Sequence, residues 1–248
     1  MPIGQKQKVA LQKSRHRREL LLTKLGDRSI VLVGLMGAGK TVIGRMLARR
    51  LKLPFVDADH EIEEAAGMSV KDIFAEHGEA YFRDGERKVI KRIMDNGPQV
   101  LATGGGAIMN KQTREAISQR GITLWLKADL KVLMERVSRR NTRPLLQTSD
   151  PQAIMKKLLD ERYPIYGQSD VHVISRNVQK RTIVTEAVGA LCEFLCQDGE
   201  LDQAHSPHKK PPRNPGKKRE NGRRTRQRST RKTQNSSNNK SGETNSND

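Results

Sequence analysis

The chain has 248 residues, 34% of them hydrophobic and 3% aromatic, and a formal net charge of +19. The charge sits at the ends: residues 1–28 hold eight Lys or Arg against two acids and residues 205–248 hold thirteen against three, which leaves 26 against 23 in 29–204. The uncharged stretch around the first apolar run, 29–39, has 11 residues where a bilayer span needs about 20, and no continuous apolar segment precedes a small-residue cleavage site, so neither a membrane span nor a secretory signal is expected and a cytoplasmic location is.

In residues 1–28, a basic N-terminal extension, Val9, Leu11, Leu20, Leu21, Leu22 and Leu25 can line a short helix that either docks on the domain or frays. Residues 29–204 suit one hydrophobic core of ordinary size. The run 29–34 (SIVLVG) is β-branched and apolar, and 40–51 follows with Val42, Ile43, Met46, Leu47 and Leu51 at helical spacing. Between them stands Gly34-Leu35-Met36-Gly37-Ala38-Gly39-Lys40-Thr41, a match to GxxxxGK[ST] in strand-loop-helix context. Glycines let backbone N–H groups turn toward phosphate oxygens, the helix N-terminus favours negative charge, Lys40 reaches the β and γ phosphates and Thr41 offers a hydroxyl to magnesium. A nucleoside triphosphate is the expected ligand.

Further apolar runs at 53–56, 99–102, 122–126 and 171–174 alternate with helical patterns at 83–94, 111–120, 130–140 and 182–196. Solid apolar runs mark strands buried on both faces, hence an α/β fold with a parallel sheet between helices and ligands at the carboxyl ends of the strands. Asp57 and Asp59 stand just past the second run; the pair can hold magnesium and meet an acceptor hydroxyl, or Asp59 can be a helix N-cap. Arg83, at an expected helix start, is either a fork for a carboxylate or an exposed cation. The glycines 104–106 allow close backbone approach to a small ligand, or make a turn. Arg143, in RPLL, opens a polar stretch that reads as a mobile lid, with Arg139 and Arg140 taken as solvated; Arg162 near a helix end is a second candidate carboxylate binder. Cys192 and Cys196, four apart on one helix, fit neither a disulfide framework nor a CxxC site and are expected to be reduced and partly buried. From 205 to 248 no hydrophobic residue occurs, so this basic tail is expected to be disordered; its charge would attract any polyanion, RNA included, although no aromatic residue is interleaved.

The GLMGAGKT loop, the DAD pair, FRDGE, TGGG, RPLL and ERYPIY, in this order over about 29–196, together resemble shikimate kinase. The resemblance implies a three-layer P-loop kinase fold, nucleoside-monophosphate-kinase-like, with a five-stranded parallel sheet flanked by helices and a mobile lid. It also implies Mg2+-dependent transfer of the ATP γ-phosphate to the 3-hydroxyl of shikimate, giving 3-phosphoshikimate and ADP on the route to chorismate and the aromatic amino acids. Carried over by motif, Gly37, Ala38, Gly39, Lys40, Thr41 and Val42 hold the ATP phosphates, Thr41 and Asp57 serve the magnesium, and Arg143 covers the nucleotide. Asp59, Arg83, Gly105 and Arg162 bind shikimate, and Asp59, Lys40 and Arg143 form the catalytic set. A carboxylate near its ordinary pKa of about 3.9 is a weak base, but a loose phosphoryl transition state needs little early proton removal, so Asp59 acts mainly by positioning. Val42 stands where many members have Thr or Ser, and both basic ends fall outside the family pattern. A monomer is expected, and residues 29–204 alone should keep the activity. The alternatives are a kinase of the same fold with a gluconate-like or nucleotide acceptor, and a nucleic-acid-associated NTPase that uses the basic tail.

Overall fold

Five short apolar runs pair into one sheet, all parallel, in the order β2-β3-β1-β4-β5, with β1 Ser29–Val33, β2 Phe55–Asp57, β3 Val100–Ala102, β4 Gly121–Lys127 and β5 Val171–Ile174. This is a computed structural model, and it describes residues 5–139 and 150–204 of the chain. β1 and β3 are buried at every residue, as their unbroken apolar sequence requires, because neighbours cover both faces. The outer strand β5 departs from that expectation: Val171 and Val173 are buried while His172 and Ile174 are exposed, since an edge strand has only one covered face. Register is fixed along the centre by Ile30 opposite both Val100 and Ile122.

Helices connect the strands: α1 Gln5–Leu25, α2 Lys40–Leu51, α3 Ala58–Ala66, α4 Val70–Met94, α5 Lys111–Arg120, α6 Leu130–Ser138, α7 Pro151–Tyr166 and α8 Lys180–Ala204. α8 packs against α1, α2 and β5, while α4 packs against α3 and α5. Thus α1 is docked: Leu21 and Leu25 are buried in the same cluster as Leu191 and Leu195 of α8. α4 starts thirteen residues before its expected first residue because Ser69 caps it, its side chain accepting from the Asp72 amide, and it continues across a break at Gly78 with φ 79°. Cys192 and Cys196 both lie on α8 and are free; Cys192 is half-buried, but Cys196 is exposed, which corrects the expectation that both are partly buried. Among the described residues no helix is long and apolar enough to cross a membrane.

Candidate active site

The β1–α2 connection is a loop of strained backbone that only glycine tolerates. Gly34, Gly37 and Gly39 have φ of 139°, 82° and 95°, and a Cβ on Gly34 would lie 2.8 Å from the Leu126 carbonyl oxygen. Gly39 ends the loop as the N-cap of α2 with no side chain on the first amides and no acid in the first turn, so the positive end of the helix is left to an external anion. Lys40 Nζ donates to the carbonyls of Gly34 at 2.7 Å and Leu35 at 3.2 Å, which holds the ammonium across the loop. Val42 is exposed at the same end of the helix.

Asp57 ends β2, and its two oxygens have different partners. Oδ2 accepts from the Thr41 hydroxyl at 2.9 Å, and Oδ1 accepts from the Asp59 amide at 3.2 Å as the N-cap of α3. The capping role that the sequence left open for Asp59 therefore falls to Asp57. Between the two acids the chain turns helical, at Ala58. Asp59 is freed from capping and lines a cavity with Met36, Val70, Phe74, Phe82, Arg83, Glu86, the glycines 104–106 and Arg162.

That cavity brings together residues from five parts of the chain. Arg83, in the second half of α4 and not at its start, donates from Nη1 to Glu86 at 2.7 Å and from Nη2 to Glu79 at 3.1 Å. Burial works to lower the Arg83 guanidinium, but Glu86 and Glu79 outweigh it and the group is raised. Glu86 is 2% exposed, and burial pushes its carboxyl up, with Arg83 and Arg162 pulling the other way and Asp59 adding to the rise. Its Oε1 is buried without a hydrogen-bond partner beside Gly104, where a Cβ would come within 2.5 Å of that atom and 3.0 Å of Asp59 Oδ1. A Cβ on Gly106 would sit 2.6 Å from Arg83 Nη2. The glycines thus let the protein's own cavity-lining charges approach the backbone at Gly104 and Gly106.

Arg162 stands just before the last turn of α7, with Nη1 3.6 Å from the Cβ position of Gly105. The end of that helix is anchored on both sides of it: the Tyr163 hydroxyl donates to the Ala128 carbonyl and the Tyr166 hydroxyl to the Gly105 carbonyl, with Trp125 edge-on to Tyr163 at 4.9 Å. Burial pushes the Tyr166 hydroxyl up to about 12 despite Arg162 nearby. Glu86, Glu79 and Tyr166 are supporting residues that reading the sequence did not single out; the i,i+4 spacing of Glu79 and Arg83 and the i,i+3 spacing of Arg83 and Glu86 are local signals of the two acids. Arg143 and Arg140, with the expected lid, lie outside the described residues. Arg139 is exposed and paired with Glu135 at 2.6 Å, as expected of a solvated cation.

Comparison with known proteins gives a consistent result. The family described as Shikimate kinase matches residues 36–192. The shikimate kinase of Mesorhizobium japonicum is 56% identical over 175 residues, 71% of this chain and 86% of that protein. That of Brucella canis is 52% identical over 196 residues, 79% of this chain and 96% of the other. Among solved structures, shikimate kinase from Acinetobacter baumannii in complex with shikimate is similar at TM-score 0.64 and 36% identity, covering 70% of this chain and 95% of that one. Shikimate kinase from Bacteroides thetaiotaomicron is similar at TM-score 0.61 and 34% identity, covering 68% and 98%.

Proposed function

The chain belongs to the shikimate kinase family and is an ATP-dependent phosphotransferase with an alcohol acceptor, and from that premise we propose how its own residues divide the reaction. The loop from Gly37 to Val42 holds the ATP phosphates, with Lys40 leaving its two carbonyl partners for the β and γ oxygens. The observation that supports this half is the uncapped, glycine-led start of α2.

Thr41 and Asp57 fit a magnesium site as a hydroxyl and a carboxylate 2.9 Å apart, two hard oxygen donors of the kind magnesium takes together with water and phosphate oxygens. The ion, bound there, supplies neutralisation of charge on the transferred phosphoryl group. Thr41 and Asp57 also hold each other in place, so the loop and the end of β2 move as one.

The acceptor half is the cavity beyond the loop. Arg83 and Arg162 grip the carboxylate of shikimate from two elements, Gly105 approaches a ring hydroxyl through its backbone, and Asp59 orients the 3-hydroxyl toward the γ-phosphate. Glu86 and Glu79 fix the plane of the Arg83 guanidinium, which is what a two-pronged grip on a carboxylate requires. The single observation that carries the reading is the convergence of Asp59, Arg83 and Arg162 on one cavity at the mouth of the phosphate loop, with Met36 of that loop in its wall. A cytoplasmic location belongs to the same proposal, supported by two free cysteines.

Arg83→Lys tests the acceptor side, since a point charge replaces a braced fork. The KM for shikimate should rise about tenfold or more while the KM for ATP stays within about twofold. An equal rise in both would remove Arg83 from the acceptor site.

A further inference from the structure

The phosphate loop has a weak point that its sequence motif does not address. Ala38 stands between Gly37 at φ 82° and Gly39 at φ 95°, so the peptide groups on either side of it are flanked by the residue with the fewest barriers to rotation. The peptide from Gly37 to Ala38 is pinned at both ends: the Gly37 carbonyl accepts from Arg136 Nη1 at 3.2 Å, and the Ala38 amide donates to the Leu35 carbonyl at 3.2 Å. The peptide from Ala38 to Gly39 is held at its carbonyl, by groups from outside the loop.

The principal one is Ser175. Its hydroxyl donates to the Ala38 carbonyl at 2.7 Å and accepts from Arg136 Nη1 at 2.8 Å, and the side chain is 1% exposed. Arg136 Nη1 reaches the same carbonyl only at 3.5 Å. Ser175 is itself rigidly placed: it follows the last residue of β5, and its amide donates to the Lys127 carbonyl at 2.6 Å, which prolongs the β4–β5 pairing by one residue. Arg136, from α6, is fixed in turn by the Arg176 carbonyl at 2.8 Å and Asn177 Oδ1 at 3.3 Å.

A trans peptide is planar, with its carbonyl and its N–H on opposite sides. Holding the Ala38 carbonyl toward Ser175 therefore turns the Gly39 N–H to the side of the peptide away from Ser175. We propose that Ser175, with Arg136, is a positioning residue of the phosphate loop that locks the Ala38–Gly39 peptide so that the Gly39 N–H faces the nucleotide phosphates. The inference rests on the reading of residues 37–42 as the ATP phosphate site. Without the serine hydroxyl, the peptide can flip and present a carbonyl, a repulsive group, to the phosphates.

The test is calorimetric binding of ATP, ADP and AMP to the full chain and to Ser175→Ala, with steady-state KM for shikimate alongside. A buried neutral hydrogen bond is worth on the order of 1 kcal/mol, so ATP and ADP should bind about five- to tenfold more weakly to Ser175→Ala. AMP affinity and the KM for shikimate should be unchanged, because neither ligand uses the Gly39 amide. Ser175→Cys, of similar volume with a weaker donor, keeps the packing if the alanine form is unstable and should show the same split between ATP and AMP. Unchanged ATP affinity, or an equal loss for ATP, AMP and shikimate, would overturn the assignment. Lys40→Ala separates this from the underlying reading: if it too leaves ATP binding unchanged, the loop is not the phosphate site, whereas a loss there with none in the Ser175 variants defeats only the role of Ser175.

Discussion

The Tyr166 hydroxyl is buried beside Arg162 and donates to the Gly105 carbonyl, so one side chain ties the acceptor-side arginine to the glycine turn. Burial holds this hydroxyl up at about 12 in the folded chain, above the ordinary value of 10. Its contribution to stability is therefore complete below the unfolded value and is lost as the pH rises through the folded one. Across that window the wild type should lose about 2 to 3 kcal/mol of unfolding free energy relative to Tyr166→Phe, which has no proton to lose. Urea unfolding of both proteins at pH 9 and at about pH 12 measures the difference, and parallel pH profiles would show that the hydroxyl is not buried as described. Neither Tyr166 nor Glu86 could be read as a site residue in advance, because each matters through partners distant in sequence or through a burial that composition does not reveal. Asp59, Arg83 and Arg162 were legible as candidates, since each sits in a short motif, the acid suited to an acceptor hydroxyl and the arginines to a carboxylate, and the structure brings all three to one cavity. Asp57 was legible as a candidate for holding magnesium, but its place as the cap of α3 was not, because the helix begins between the two acids.

Among the elements, α2 and α5 have the expected bounds and the strands lie within two residues of theirs, whereas α8 runs to Ala204, eight residues past its expected end. The discrepancies have local causes. β2 ends one residue later than its apolar run because Asp57 pairs opposite Ala102. α4 starts early because Ser69 caps it and Gly78 bends it without ending it. The N-terminal leucines left two options open, docking or fraying, and the packing decides for docking: Leu21 and Leu25 are each 1% exposed. Leu25→Ala should therefore cost about 2 to 5 kcal/mol of stability. Both KM values should stay unchanged at temperatures where the variant is folded, since α1 contributes nothing to the cavity. Thermal melts and kinetics on the same sample check this, and an unaltered Tm would mean that α1 does not belong to the core. The same packing sharpens the expectation for residues 29–204 alone: they hold the cavity residues but leave uncovered the α8 surface on which α1 sits.

For the molecule as a whole, a nearly neutral α/β domain carries its chemistry at the carboxyl ends of β1, β2 and β3. The parallel order β2-β3-β1 sets the phosphate loop, the Asp57–Asp59 corner and the glycine turn side by side. Parallel strands that all run one way gather three loops at one edge, and α4 and α7 then need to bring only an arginine each. That arrangement followed from the alternation of runs and helices, whereas the sheet order and the neighbours of each side chain came only with the structure. In the proposed function two half-sites meet there, one for ATP phosphates and one for the acceptor, with Asp59 belonging to the second. The most direct measurement is Asp59→Asn in the full chain, assayed by coupled ADP release with shikimate and, in parallel, by calorimetric ATP binding. Turnover should fall about 100-fold or more with ATP affinity within about twofold of the wild type. Turnover close to the wild type, or an ATP affinity that falls along with it, would remove Asp59 from the acceptor half-site.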